Sequence, residues 1–292
     1  MKTLWTAIWR IGLFFLLWGV LFAALVAPVT RYFGQPESIR IVTLRLYVET
    51  SFLVTVIAAC WVVMRYVEHR PLSRVGFLSH SPIRDLILGF SIGACMLLLT
   101  VASLYPWLSA PVWPSPSIVL LPLATGGLAL LINAAAQEAL VRGYPYWFLH
   151  ARAGVVVASI VTSLVFALLH FSAAQDYPLA LVNLVAHGVI YAYARWTSGS
   201  LWLPTGIHFA WNFVLGPVLG LSVSSNDLSS GWQILELSGP AIFTGGDYGI
   251  EAGVGATLMS ALGLLVIYLL HRRGIIRDEI QGQVLQYHIR RD

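Results

Sequence analysis

Residues 117–149 read SIVLLPLATGGLALLINAAAQEALVRGYPYWFL. The first half of this stretch stays apolar far too long for a barrel strand, and a helix that crosses a bilayer needs about 20 such residues. The second half carries Asn133, Gln137, Glu138 and Arg142 on the same run. Ionisable side chains at membrane depth are costly, and each is a functional hypothesis by default. This one segment therefore predicts a transmembrane helical fold and points to where its chemistry lies.

The rest of the chain agrees. Of 292 residues, 58% are hydrophobic and only 10% charged, against ~25% charged in an ordinary soluble domain. Mean hydropathy is +0.78. That much apolar surface excludes a soluble enzyme, a disordered chain and a fibrous repeat. The expected fold is all-α, a polytopic transmembrane bundle of about eight spans. The spans read as about Leu4–Val29, Tyr47–Val67, Leu86–Tyr105, Ser117–Leu149, Val155–Phe171, Leu179–Trp196, Leu201–Leu221 and Ala252–His271. The first is too long for a signal peptide and is interrupted by Arg10, so a retained anchor is expected. The segment 106–117 reads as an interfacial loop, and the tail from Arg272 as an amphipathic helix on the membrane surface. Three regions follow: 1–117 with three spans, a four-span core over 118–222, and 223–292 with a loop, the last span and the tail. Cys60 and Cys95 lie within apolar runs, which predicts buried thiols and neither a disulfide nor a metal site.

Sixteen of the 17 basic residues are arginine, and they sit at the ends of apolar runs. This is membrane orientation rather than a phosphate groove, so no nucleic-acid partner is expected. Arg65, Arg70, Arg74, Arg84, Arg142, Arg152, Arg195 and the tail arginines fall on one side if the spans alternate. Arg31, Arg40 and Arg45 fall on the other. The positive-inside rule then makes both termini cytoplasmic in a multi-pass protein of the cell (plasma or inner) membrane. The bilayer is the first expected partner.

Spans four to seven hold most of the misplaced polarity: Asn133, Gln137, Glu138 and Arg142; His170; Asn183 and His187; His208 and Asn212. Glu138 and Arg142 share a helix face at i,i+4, as do Phe166 and His170, Asn183 and His187, and His208 and Asn212. A carboxylate, imidazoles and an amide converging in a dry pocket form a hydrolytic set. One group takes a proton from water, while an imidazole N–H and an amide N–H stabilise an oxyanion. Each pair also has a plainer reading: a structural ion pair, an interfacial histidine at a helix end, or hydrogen bonds between helices. Glu138, His170 and His208 are conceivable zinc ligands, but no HExxH pairs two of them on one helix.

Taken together, QEALVRG in span four, Phe166 to His170 and His208 to Asn212 resemble the EExxxR, FxxxH and HxxxN motifs of the CPBP family. That family holds the CAAX prenyl endopeptidases and the bacteriocin-processing or Abi-like immunity proteins. The resemblance covers about residues 120–220. It implies an intramembrane glutamic endopeptidase with no metal or other cofactor, acting on a peptide or membrane-protein substrate. It also implies a catalytic set of Glu138, His170, His208 and Asn212, with Gln137, Arg142 and Phe166 in support. His170 would position the water, His208 and Asn212 would hold the oxyanion, and Arg142 would orient Glu138.

One position departs from the pattern. The first glutamate of the pair is Gln137 here, and a primary amide orients water but cannot take its proton. Glu138 or His170 then serves as base, or Glu138 takes the first glutamate's place. The remaining alternative is a catalytically impaired scaffold or immunity-type protein. A carboxylate paired with Arg142 is a poorer base, which counts against Glu138. His187 stands where the family more often has a small residue. It reads as a substitute base, a groove residue or a hydrogen-bond partner of Asn183 or Tyr191. A transporter is the third class, disfavoured by the lack of inverted repeats.

Overall fold

The structure is a computed structural model that describes residues 2–32, 38–79, 81–108, 120–226, 228 and 235–277. Its regular elements are helical, and β-pairing among the described residues is confined to two isolated bridges, Leu108 with Leu237 and Val223 with Asn226. The expected all-α class is what the chain adopts. The proposed interfacial loop lies outside the described residues from 109 onward, and the proposed tail helix from 278 onward.

Among the described residues ten α-helices form the frame: α1 Lys2–Tyr32, α2 Ser38–Val62, α3 Pro82–Ser103, α4 Leu120–Glu138, α5 Tyr144–Leu169, α6 Phe171–Ala174, α7 Pro178–Ser198, α8 Trp202–Phe213, α9 Ala241–Thr244 and α10 Val254–Arg272. Three of them run on into π turns: Val63–Val67 after α2, Ala139–Gly143 between α4 and α5, and Val214–Val218 after α8. Local chemistry sets several ends. Pro82 and Pro178 open α3 and α7 at positions where no backbone N–H is needed. Gly199 closes α7 in the left-handed region (φ 67°), its N–H bonded to the Arg195 carbonyl.

Five described segments are long and apolar enough to cross a membrane: Trp5–Tyr32, Thr43–Val67, Pro82–Ser103, Leu120–Leu169 and Val254–Arg272. The fourth has 50 residues, more than twice what one crossing requires. It is kinked at Gly154, whose φ of 81° interrupts the helix, between the fourth and fifth spans read from the sequence.

Ionisable side chains are buried within an otherwise apolar core, and large apolar side chains also cover the outside. Glu138, Arg142, Asn183, His187, Arg195 and His208 are buried, whereas Leu16, Val20, Leu98, Leu164, Leu168 and Leu258 face outward. Lipid solvates the outer side chains, so burial carries no hydrophobic premium between helices and close packing takes its place. This corrects one expectation: Cys60 is buried, but Cys95 lies exposed on α3. In a membrane protein an apolar run does not tell core from lipid-facing surface.

The tightest packing holds α3 against α8. Gly89 and Gly93 are one turn apart on α3, and Gly206 faces them from α8. A methyl group on Gly89 would run into the Leu203 carbonyl oxygen, on Gly93 into that of Ile207, and on Gly206 into that of Leu86. Small residues at this spacing let two backbones touch, and this contact fixes the helix that carries His208 and Asn212. At the far end of that helix, Trp211 Nε1 donates to Glu251 Oε1 (3.1 Å), and Glu251 Oε2 accepts from Ser224 N–H and Oγ. Burial pushes the Glu251 carboxyl up, and the Ser224 and Trp211 bonds pull it back down. Asn183 on α7 donates to the Glu251 and Gly253 carbonyls and accepts from Thr257. The loop before α10 is thereby clipped to α7 and α8.

Gly206→Val should be strongly destabilising, by about 3 kcal/mol or more, since overpacking alone costs ~1–3 kcal/mol and here the obstacle is backbone. Thermal unfolding in detergent checks this, with Gly126→Val on the open side of α4 as a neutral control because nothing lies near its added carbon.

Candidate active site

The site is built around the end of α4. Directly after Glu138 the helix widens into the π turn Ala139–Gly143, and all five of its residues are buried. Such widened turns recur at functional sites. Glu138 itself is fully buried. Its Oε1 accepts from His208 Nδ1 at 3.0 Å and lies 3.5 Å from Arg142 Nη1. Its Oε2 is buried with no hydrogen-bond partner. A buried carboxylate needs charge partners, and here one comes from its own helix and one from α8.

Arg142 is held from four directions. Nη1 faces Glu138, and Nη2 donates to the Gly188 carbonyl on α7 at 3.0 Å. The guanidinium lies 4.7 Å from the Phe166 ring centre and 5.4 Å from that of Tyr191. Gly188 can offer its carbonyl because α7 touches α5 there, where a methyl group would press against Ser163.

Phe166 is the hub of the aromatic wall. Its ring centre lies 4.6 Å from that of His170, 5.7 Å from His208 and 5.7 Å from Tyr191. Tyr191 stacks nearly parallel on His208 at 5.0 Å. The Phe166 carbonyl sits 2.9 Å from His170 Nδ1. A carbonyl only accepts, so His170 Nδ1 carries the hydrogen and Nε2 of the neutral ring carries the lone pair. By the same logic His208 donates Nδ1–H to Glu138 and presents Nε2. Asn212 follows one turn after His208, half-buried.

Gln137 turns away from Glu138. Its Nε2 donates to Asn133 Oδ1 (2.7 Å), and Asn133 Nδ2 donates to Glu49 Oε2 on α2 (2.7 Å). Glu138, Arg142, Phe166, His170 and His208 thus form one connected cluster. Gln137 belongs to a second chain of polar groups on the neighbouring face of α4. Asn183 joins neither, being committed to the loop before α10. His187 packs edge-on against Trp211 at 4.6 Å, and its Nε2 is buried without a partner. Among the described residues, no three His, Cys, Asp or Glu side chains are grouped to hold a metal ion.

Two contributors escape a reading by span. Glu49 sits near the start of the second apolar run, where a carboxylate looks interfacial. Tyr191 reads as an ordinary helix aromatic, although its place one turn after His187 puts it on the polar stripe of α7.

Residues 118–214 match the family model Rce1-like, described as Type II CAAX prenyl endopeptidase Rce1-like. That segment runs from just before α4 to the end of α8 and includes all the residues of the buried cluster. The match agrees with the resemblance of the three motifs to the CPBP family. No curated protein and no solved structure matches the chain.

Arg142→Met should cost about 3–5 kcal/mol, the usual penalty for removing one partner of a buried pair, because Glu138 is left in the core with His208 alone. Pairing Arg142→Met with Glu138→Leu should recover much of that loss. A thermal double-mutant cycle checks both.

Proposed function

We propose that this chain is an intramembrane endopeptidase that uses His170 to activate water and His208 with Asn212 to receive the oxyanion. One observation carries this reading. The Glu138–His208 hydrogen bond joins the first and third motifs across α4 and α8, with Phe166 and His170 of the second motif packed on the same cluster.

His170 Nε2 takes a proton from water, and the hydroxide adds to the substrate carbonyl carbon. The resulting oxyanion is received between the Asn212 side-chain N–H and the His208 ring. The tetrahedral centre then collapses. His170 returns the proton to the leaving nitrogen, so one water and one peptide bond yield a carboxylic acid and an amine. Glu138 orients His208 in this scheme and is not the base. Both of its near partners contact Oε1, one of them the Arg142 guanidinium.

Gln137 supplies an acceptor. Asn133 turns Nδ2 toward the Glu49 carboxyl. Asn133 Oδ1 then faces Gln137 and takes Nε2–H, which leaves Gln137 Oε1 as the unengaged lone-pair group of the chain. An oxygen there can hold a water hydrogen without taking the proton. Glu49 and Asn133 are positioning residues for that oxygen. The substrate is a peptide or a membrane-protein segment, and the arginine-rich side of the bundle is placed in the cytoplasm.

The test is cleavage of a peptide library by the chain in liposomes, read by mass spectrometry. Loss of the base should lower kcat by about 10²–10⁴ in His170→Ala, and loss of an oxyanion donor by about 10²–10³ in Asn212→Ala. Equal cleavage by wild type and His170→Ala would sink the mechanism. Gln137 favours a second reading, an impaired scaffold. Under it wild type is inert and only Gln137→Glu cleaves. Glu49→Gln should lower kcat in the wild-type background. It should have no effect in Gln137→Glu, where both oxygens accept and no orientation has to be imposed.

A further inference from the structure

The arginine-rich face of the bundle holds a cavity of about 470 Å³ that the peptidase reading leaves unused. Its lining includes Arg10 from α1, Glu68, Arg70 and Arg74 from the connection after α2, and Trp147 and Arg152 from α5. Four guanidiniums meet one carboxylate there.

That carboxylate organises the site. The Glu68 side chain is only 4% exposed. It accepts from Arg10 Nη1 at 2.9 Å, Arg152 Nη2 at 3.1 Å and the Tyr144 hydroxyl at 2.8 Å. Two arginines are thereby fixed in place while most of their N–H groups remain uncommitted, since a guanidinium has five. Arg10 Nε is buried with no partner. Arg70 and Arg74 make no side-chain ion pair among the described residues, so the positive charge at the mouth is uncompensated. A fixed set of guanidinium donors around a wet cavity suits a phosphate group, whose oxygens accept paired N–H bonds.

The position of the cavity narrows the source of that phosphate. It opens among the ends of membrane helices, with Trp147 on its wall, at the level where aromatic side chains and lipid headgroups meet. Basic pockets between transmembrane helices at this level take anionic headgroups. We propose that this cavity binds the phosphate-bearing headgroup of an anionic phospholipid, with Arg70 and Arg74 closing over the phosphate and Glu68 holding Arg10 and Arg152 beneath it. The inference stands on this geometry alone and is independent of proteolysis.

The test is native mass spectrometry of the full chain, purified and stripped of lipid, then titrated with phosphatidylglycerol or phosphatidylcholine. One phosphatidylglycerol should bind selectively, and Arg70→Gln with Arg74→Gln should weaken it on the order of tenfold or more. Arg65→Gln with Arg273→Gln removes the same charge from exposed positions outside the cavity and should leave binding intact. Equal losses in the two double variants would overturn the site in favour of diffuse attraction. Equal binding of both lipids would also overturn it. Inorganic phosphate alone, raising the thermal unfolding midpoint as much as the lipid does, would show a free-anion site and overturn the lipid assignment. A normal unfolding midpoint for the Arg70, Arg74 variant separates loss of binding from loss of fold.

Discussion

The constraint on which the site depends is the burial of Glu138. A carboxylate with no exposure in a membrane protein stays charged only among fixed positive and donor groups, and each of those comes from a different place. Arg142 comes from the next turn, His208 from α8, and the carbonyl that anchors Arg142 from α7. Phe166 and Tyr191 then cover what remains of the guanidinium. Removing one member leaves the others holding a charge without a partner, which is why the cluster behaves as a unit. The same arrangement decides how the histidines face. Each imidazole spends Nδ1 on an oxygen, one on a carboxylate and one on a carbonyl, so both present Nε2.

That cluster requires helices to approach more closely than apolar side chains allow. The glycines of α3 and α8 provide this on one side, and Gly188 against Ser163 on the other. In a bilayer the outer leucines gain nothing by turning inward. Backbone contact and the polar core therefore carry the specificity that a hydrophobic core carries in water. The clip of Glu251 onto Ser224 and Trp211 serves the same end, tying a loop outside the spans to the helix that bears His208.

The all-helical fold was legible in long apolar runs, and the cluster in ionisable groups at i,i+4 spacing on four of them. Glu138, Arg142, His170 and His208 stand out because the bilayer leaves charge no casual place. Gln137 was legible as a departure, but not its direction, because adjacent residues on a helix point about 100° apart. Only packing shows that α2 stands on that side with Glu49. Asn183 looked like part of the site because periodicity marks a polar face without saying which neighbour it meets. Cys95 failed for a related reason: hydropathy is blind to the difference between a helix neighbour and a lipid tail. The arginine cavity was hidden by the same rule that orients the chain, which accounts for basic residues at one face without grouping them.

The π turn after Glu138 has a consequence for how this helix can change. An α-helix keeps one angular phase from end to end, so an upstream insertion rotates every later side chain. A widened turn acts as a phase break. It lets the half carrying Asn133 and Gln137 be set by its contact with α2, and the half carrying Tyr144 and Trp147 by its contact with α1 and Glu68. Losing a single residue within Ala139–Gly143 would fuse the two halves into one register and turn one of them by about 100°. Either the polar chain or the Glu68 network would then face lipid. Substitutions in this segment are matters of size and charge, whereas a change of length is a change of geometry for both ends at once.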